Sequence, residues 1–151
     1  MTTVRIRRIH PNAVLPKYAT EGAAAFDLAA CEDVRIAPGE VKLVPTGLVI
    51  EVPTGMFLGV FARSSTPLRR GLMVANGVGV VDPDYCGPED QVKIAVLNFT
   101  ARAIDVNGGD RLAQGILLPS VRVTWDDVTW EETAAGKTES RGGFGTTGKK
   151  G

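Results

Sequence analysis

The sequence is short of the residues that build metal and nucleophile sites. Its 151 residues include one histidine and two cysteines. His10 stands beside Pro11-Asn12 with no second His or Cys near it, so it reads as a loop residue rather than a metal ligand. A Ser-His-Asp triad would have to use that one imidazole. Cys31 and Cys86 lie far apart, which is neither a disulfide framework nor a zinc spacing. Reduced thiols in a cytoplasmic protein are the expectation. Net charge is missing too: 17 basic residues balance 17 acidic ones. There is therefore no basic footprint for nucleic acid and no polybasic membrane patch. No apolar run approaches transmembrane length. The opening MTTVRIRRIH lacks an apolar h-region, so no secretory signal is expected. Long helical periodicity is absent as well.

What the chain has instead is punctuation. Eighteen glycines and nine prolines cut it into short apolar runs, the pattern of an all-β domain of many short strands. The length suits one domain with a real core. Alternation predicts strands over 4–9, 34–36, 42–44, 48–52, 103–106 and 121–125. Met56 to Phe61 is a continuous apolar run and predicts a fully buried strand. Composition shifts once, after Trp130. Residues 1–130 read as the β domain. Residues 131–151 are polar, Gly-rich and poor in apolar anchors, as a flexible tail would be.

The stretch from Asn76 to Asn98, NGVGVVDPDYCGPEDQVKIAVLN, holds the densest chemistry. Val80-Val81 is followed by Asp82 and the turn signal Pro83-Asp84, then Tyr85 and a second turn at 86–90. Val92, Ile94 and Val96 begin an alternating strand. The stretch predicts a long hairpin with a carboxylate fixed at a strand end. Asp82 is either a turn initiator or a group held rigidly for work on a substrate.

Four other stretches stand out. In Ala24-Ala25-Phe26-Asp27-Leu28, Asp27 interrupts an apolar strand. Arg63-Ser64-Ser65-Thr66-Pro67-Leu68-Arg69-Arg70-Gly71 predicts a short helix with Ser65 or Thr66 as N-cap and Gly71 as C-cap. It is either an ordinary capped helix or a phosphate site built from free N–H groups, a hydroxyl and Arg63. Gly109-Asp110-Arg111-Leu112-Ala113-Gln114 places two charges at a turn, read as an ion pair between Asp110 and Arg111. Gln114 sits among apolar neighbours and needs partners if buried. Last, Arg141-Gly142-Gly143-Phe144-Gly145-Thr146-Thr147 sets one aromatic among glycines. It is a linker, or else a segment that wraps a nucleotide, with amides and Arg141 on phosphate and Phe144 on a base.

Together, in this order and over nearly the whole chain, these five stretches resemble the five motifs of the trimeric dUTPases, which hydrolyse dUTP to dUMP and pyrophosphate. The resemblance implies a distorted jelly roll of the β-clip type, a barrel with one short helix and a mobile C-terminal arm. It implies a homotrimer with active sites at subunit interfaces. It implies Mg²⁺ held on the triphosphate, with Asp27 binding it through water, and Asp82 as the base that activates the attacking water. Substrate contacts carried over are Arg63, Ser64, Ser65, Asn76, Val80, Val81, Tyr85, Lys93, Gln114, Arg141, Phe144, Gly145, Thr146 and Thr147. Asn76 and the backbone of Val80-Val81 would take uracil, and Tyr85 the sugar. The implied role is to limit uracil in DNA and to supply dUMP for dTMP synthesis. Four departures are visible. Ser65 stands where a Gly is usual, Cys86 stands where an Arg is usual, Pro88-Glu89-Asp90 lengthens the turn, and Arg141 is closer to Phe144 than in the family. Arg63-Ser64-Ser65 also resembles the dCTP deaminases, which makes deamination of dCTP, alone or with dUTPase activity, the second reading. A catalytically silent nucleotide-binding module is the third.

Overall fold

In a strand, alternate side chains face opposite sides, and the sequence of β9 (Lys93–Asn98) shows the result. Ile94, Val96 and Asn98 point into the core, while Lys93, Ala95 and Leu97 lie on the outer face. Repeated over the chain, this alternation folds the protein into antiparallel sheets. The computed structural model describes residues 3–133, 137 and 139–144. The chain divides into two compact units, Met1–Val121 and Arg122–Gly151.

The first unit contains β1 (Arg5–Arg8), β2 (Phe26–Ala29), β3 (Val34–Ile36), β4 (Val41–Pro45), β5 (Leu48–Glu51), β6 (Met56–Ala62), α1 (Ser65–Arg70), β7 (Leu72–Val74) and β8 (Gly79–Val81), then β9, β10 (Ile104–Val106) and β11 (Arg111–Pro119). The strands pair as β2-β11-β6-β8, β4-β9-β7, β1-β5 and β10-β3, all antiparallel. This is an all-β, jelly-roll-like fold. Leu28, Leu48, Leu58, Leu72, Ile94 and Leu112 are fully buried in one core, each contributing on the order of 1.5–3 kcal/mol by leaving water. The buried polar groups are paired. Asn98 Nδ2 donates to the Ile36 and Arg102 carbonyls, and its Oδ1 accepts from the Thr100 amide and hydroxyl. Thr46 Oγ1 donates to the Val92 carbonyl at 2.6 Å.

Three expectations about these elements are corrected. The apolar run of β6 is fully buried only at its centre, Leu58 to Val60, because its ends reach the rims of the sheet. The expected 76–98 hairpin does not close on itself. Its first strand, β8, pairs with β6, and its second, β9, pairs with β4 and β7. The hairpin proper is β7–β9, and β8 is an excursion from it onto the neighbouring sheet. Pro83 and Pro88, in the segment between β8 and β9, remove two amide donors that an extension of either strand through 82–91 would need. Helix α1 starts one residue earlier than the N-cap reading allowed. Ser64 takes the cap position with helical backbone and makes no side-chain cap bond. The buried Thr66 hydroxyl is drawn elsewhere: it accepts from the Arg63 amide and donates to the Leu112 carbonyl at 2.8 Å. Gly71 closes the helix at φ 66° as expected. A Cβ there would lie 2.4 Å from the Thr100 methyl.

Residues 121–125 alternate but form no strand. Alternation supplies a face and no ladder partner, and Trp125 is 92% exposed. The second unit holds a second short helix, α2 (Trp130–Thr133). Thr129 caps it, with its amide and hydroxyl both donating to Glu132 at 2.8 and 3.0 Å. Those two bonds hold the Glu132 carboxyl below its usual pKa. Among the described residues no helix is long and apolar enough to cross a membrane.

Candidate active site

Strand register brings three of the five stretches together. Asp27 on β2 lies opposite Gln114 on β11, and Gln114 lies opposite Phe61 on β6. Arg63 follows directly after β6. Asp27, only 16% exposed, accepts from Arg63 Nε at 2.8 Å and from Arg111 Nη1 at 2.9 Å. Gln114 Nε2 donates to the Ala62 carbonyl at 3.0 Å. A cleft of about 670 Å³ opens beside this cluster, lined by Arg63, Ser64, Ser65, Leu68, Arg69, Arg70 and Arg111. Four guanidinium groups line this one cleft, and planar forks of this kind suit phosphate oxygens.

The expected Asp110–Arg111 pair does not form. Neighbouring residues on a strand point to opposite faces. Arg111 therefore reaches Asp27, while Asp110 accepts from Arg70 at 3.0 Å and from the Asn107 amide at 2.9 Å. The Arg70 bond, helped by the Asn107 amide, holds the Asp110 carboxyl below its usual pKa despite partial burial. Arg69 and Arg111 line the cleft without being among the residues that the sequence pattern assigns to substrate. The signal for Arg69 was the basic pair at the end of α1. Nothing local marked Arg111, because its partner is set by a distant strand.

Tyr85 and Asp82 lie elsewhere. Val81 pairs with Leu58, so Asp82 sits beside Phe57, six residues along β6 from Arg63. At strand rise that is about 20 Å. Asp82 is exposed, and its carbonyl accepts from the Tyr85 amide at 3.2 Å. The Tyr85 hydroxyl donates to the Gln91 carbonyl at 3.1 Å. Gln91 Oε1 in turn accepts from the Gly47 amide. Asn76 lies in the exposed turn after β7, and Val80 is 61% exposed on β8. Because β8 is the last strand of its sheet, one side of its backbone faces away from the ladder. Such an edge offers donors and acceptors to a flat polar ring. Lys93 is exposed at the start of β9, opposite Pro45. Arg141 and Phe144 are exposed within the second unit, and Phe144 has φ 50°. Gly145, Thr146 and Thr147 lie outside the described residues.

The donor set bears on magnesium. Among the described residues no cluster of three His, Cys, Asp or Glu could hold a metal. Asp27 is the carboxylate bound to two of the cleft's arginines, Arg63 and Arg111, and each of its oxygens accepts one guanidinium bond. Each oxygen keeps a second acceptor site for a metal-bound water. This does not fit an all-protein cage. It does fit Mg²⁺, which keeps several waters and is often held by phosphates with one carboxylate.

Comparison with known proteins gives the same direction. The dUTPase family model matches residues 11–148. A deoxyuridine 5'-triphosphate nucleotidohydrolase of Helicobacter pylori (strain P12) is 39% identical over 146 residues, covering 96% of each chain. The crystal structure of dUTPase from Streptococcus mutans is similar at TM-score 0.75 and 32% identity, over 82% of this chain and 100% of that one. The dUTPase of Staphylococcus bacteriophage 80alpha, solved with dUpNHpp, shares the fold at TM-score 0.85 and 19% identity, over 98% of this chain and 99% of that one. A mutant of the dUTPase from phage phi11 of S. aureus, whose structure reveals the coordination of a structural Mg(II) ion, shares it at TM-score 0.76 and 22% identity, over 84% of this chain and 97% of that one. With a family match over nearly its whole length and a relative close to 40% identical, this chain belongs to the dUTPase family.

Proposed function

We infer that this enzyme hydrolyses dUTP to dUMP and pyrophosphate, and that each active site is completed between copies of the chain in a homotrimer. The family match and the relatives' names carry the reaction and favour it over deamination of dCTP. The observation that supports a shared site is the distance along β6. A general base must lie within about one water of the atom it serves, and Asp82 is about 20 Å from Arg63 on its own chain. The Asp82 turn of one subunit then serves the arginine cleft of another. Closed cyclic assembly repeats this arrangement three times. Exposed Val41, Leu43, Met73 and Phe99 give the chain apolar surface for such an assembly.

In this reading Arg63, Arg69, Arg111, Ser64, Ser65 and Gln114 fix the triphosphate. Asn76 and the free edge of β8 at Val80-Val81 take uracil, leaving no space for the thymine methyl. Tyr85 packs on the deoxyribose and blocks a 2'-OH. Lys93 adds a cation at the start of β9. Asp82 deprotonates a water aimed at the α-phosphorus. Mg²⁺ on the triphosphate, with Asp27 holding its waters, supplies positive charge that offsets the charge developing on pyrophosphate. Residues 131–151 act as an arm that closes over the nucleotide. Phe144 stacks on the base, and Arg141, Gly145, Thr146 and Thr147 go to the phosphates. The exposed Phe144 ring supports this role. The free thiols Cys31 and Cys86 are consistent with a cytoplasmic protein, and dUMP released there would feed dTMP synthesis and keep uracil out of DNA.

Pyrophosphate release with and without Mg²⁺ tests the reading. The expected result is metal-dependent turnover of dUTP, no ammonia from dCTP, and loss of most turnover on truncation before Gly136 with the fold retained. Ammonia from dCTP, or a truncated chain as fast as the full one, would contradict it.

A further inference from the structure

We propose that Arg7 is a positioning residue for the Asp82–Gln91 turn, holding Tyr85 in the orientation that sets sugar choice. The proposal rests on the reading of that turn as the nucleoside half of the site. Arg7 lies on β1, remote in sequence from the turn, yet its Nη2 donates to the Cys86 carbonyl at 2.9 Å and to the Gly87 carbonyl at 2.8 Å. A charged donor on two consecutive carbonyls fixes two successive peptide planes. Gly87 is gripped from its other side as well, since its amide donates to Asp90 Oδ2 at 2.7 Å. A Cβ on Gly87 would itself lie 2.7 Å from that oxygen, so the carboxylate closes on the backbone only because no side chain intervenes.

The turn needs such a hold. Residues 82–91 belong to no strand. Their backbone bonds to one another are short in span: Tyr85 to Asp82, Asp90 to Gly87 and Gln91 to Glu89. Arg7 and the Gln91–Gly47 bond tie this segment to the strand at 5–8 and to the turn just before the strand at 48–51. The Arg7 bonds fall on the two residues that follow Tyr85, and the Tyr85 amide in turn donates to the Asp82 carbonyl. A turn that sagged by an ångström would carry Tyr85 and Asp82 with it.

The same strand supplies a control. Arg5 is two residues away, on the same face by strand period, and it pairs with Glu51 at 2.6 Å. It touches no part of the turn in the contacts described.

The experiment compares Arg7→Met, Arg7→Lys and Arg5→Met in the full-length enzyme. Pyrophosphate release from dUTP and UTP is measured, with Tm recorded for each variant. Arg7→Met should raise KM for dUTP roughly tenfold or more, the scale of small misplacements, and should narrow the dUTP:UTP ratio of kcat/KM. Its Tm should fall no further than that of Arg5→Met. Arg7→Lys, which keeps a charged donor, should recover part of both kinetic effects. If Arg7→Met keeps the wild-type KM and ratio, or if it and Arg5→Met change alike, the clamp is wrong while the dUTPase reading stands. A wild-type enzyme inactive on dUTP would overturn the underlying reading instead. Should Arg7→Met fail to fold, Arg7→Lys decides: amide exchange across 85–91 must then be faster than in wild type, and unchanged exchange overturns the proposal.

Discussion

The two ends of β6 are built in different ways. At the Ala62 end, ionised side chains are fixed by strand register. Asp27, Arg63 and Arg111 are locked to one another, and Gln114 is tied to the backbone. At the Met56 end, Asp82 and Tyr85 sit on a turn held by backbone bonds and by one borrowed guanidinium. In the proposed reading the first end takes a substrate part that is always the same, the triphosphate, and the second a part that must be told from close relatives, the nucleoside. A rigid charge cluster binds any triphosphate, so discrimination has to come from the turn.

Substitutions at the two ends should therefore fail differently. Asp82→Asn keeps shape and removes the carboxylate proposed as the base. Turnover should fall about 10²- to 10⁴-fold with Tm and nucleotide binding near wild type, read by steady-state rates and calorimetry. Asp27→Ala strips the charge cluster of its shared partner and leaves two guanidinium groups facing each other. It should cost roughly 1.5–3 kcal/mol of stability, read as a lower denaturant midpoint, and should weaken binding of dUTP and UTP alike. Tyr85→Ala should leave stability nearly unchanged and reduce the dUTP:UTP preference about tenfold. If Asp27→Ala altered that preference and Tyr85→Ala did not, the division of labour would be reversed.

The smallest effect concerns acid. Arg70 depresses the folded-state pKa of Asp110. A depressed carboxylate contributes stability that is present above its unfolded value, about 3.9 for Asp. That stability is lost as pH falls through the lower folded value. Asp110→Asn should therefore be less stable than wild type at neutral pH, with the difference shrinking below about pH 4. Acid unfolding curves of the two proteins check this, and a gap that widens with acid would refute the role of the pair.

Much of the fold was legible in the chain, and for a local reason. Alternation marks strands such as β3 and β9, and Gly71 marks a helix end that only a left-handed residue can make. Pairing was not legible. β8 reads as one arm of a hairpin, yet it joins β6, because turn chemistry proposes a partner and the competing edge of another sheet decides it. The 121–125 segment alternates as well as any strand but has no ladder to join. At the site, Asp27, Arg63 and Gln114 were each visible, but Arg111 was misassigned to its sequence neighbour. Its true partner lies across a register that no local spacing encodes. Arg7 was invisible for the same reason: it sits far from the turn in sequence and meets it only in the fold.

The central claim is that the arginine cleft of one copy works with the Asp82 turn of another. Subunit complementation tests it most directly. Arg63→Ala and Asp82→Asn chains, each nearly inactive alone, are unfolded, mixed one to one and reassembled. If the halves come from different copies, random assortment regenerates intact sites in about a quarter of positions in a closed ring, and turnover should return to about that fraction of wild type. Mixed assemblies that form yet stay as inactive as their parents would place both halves on one chain and contradict the account.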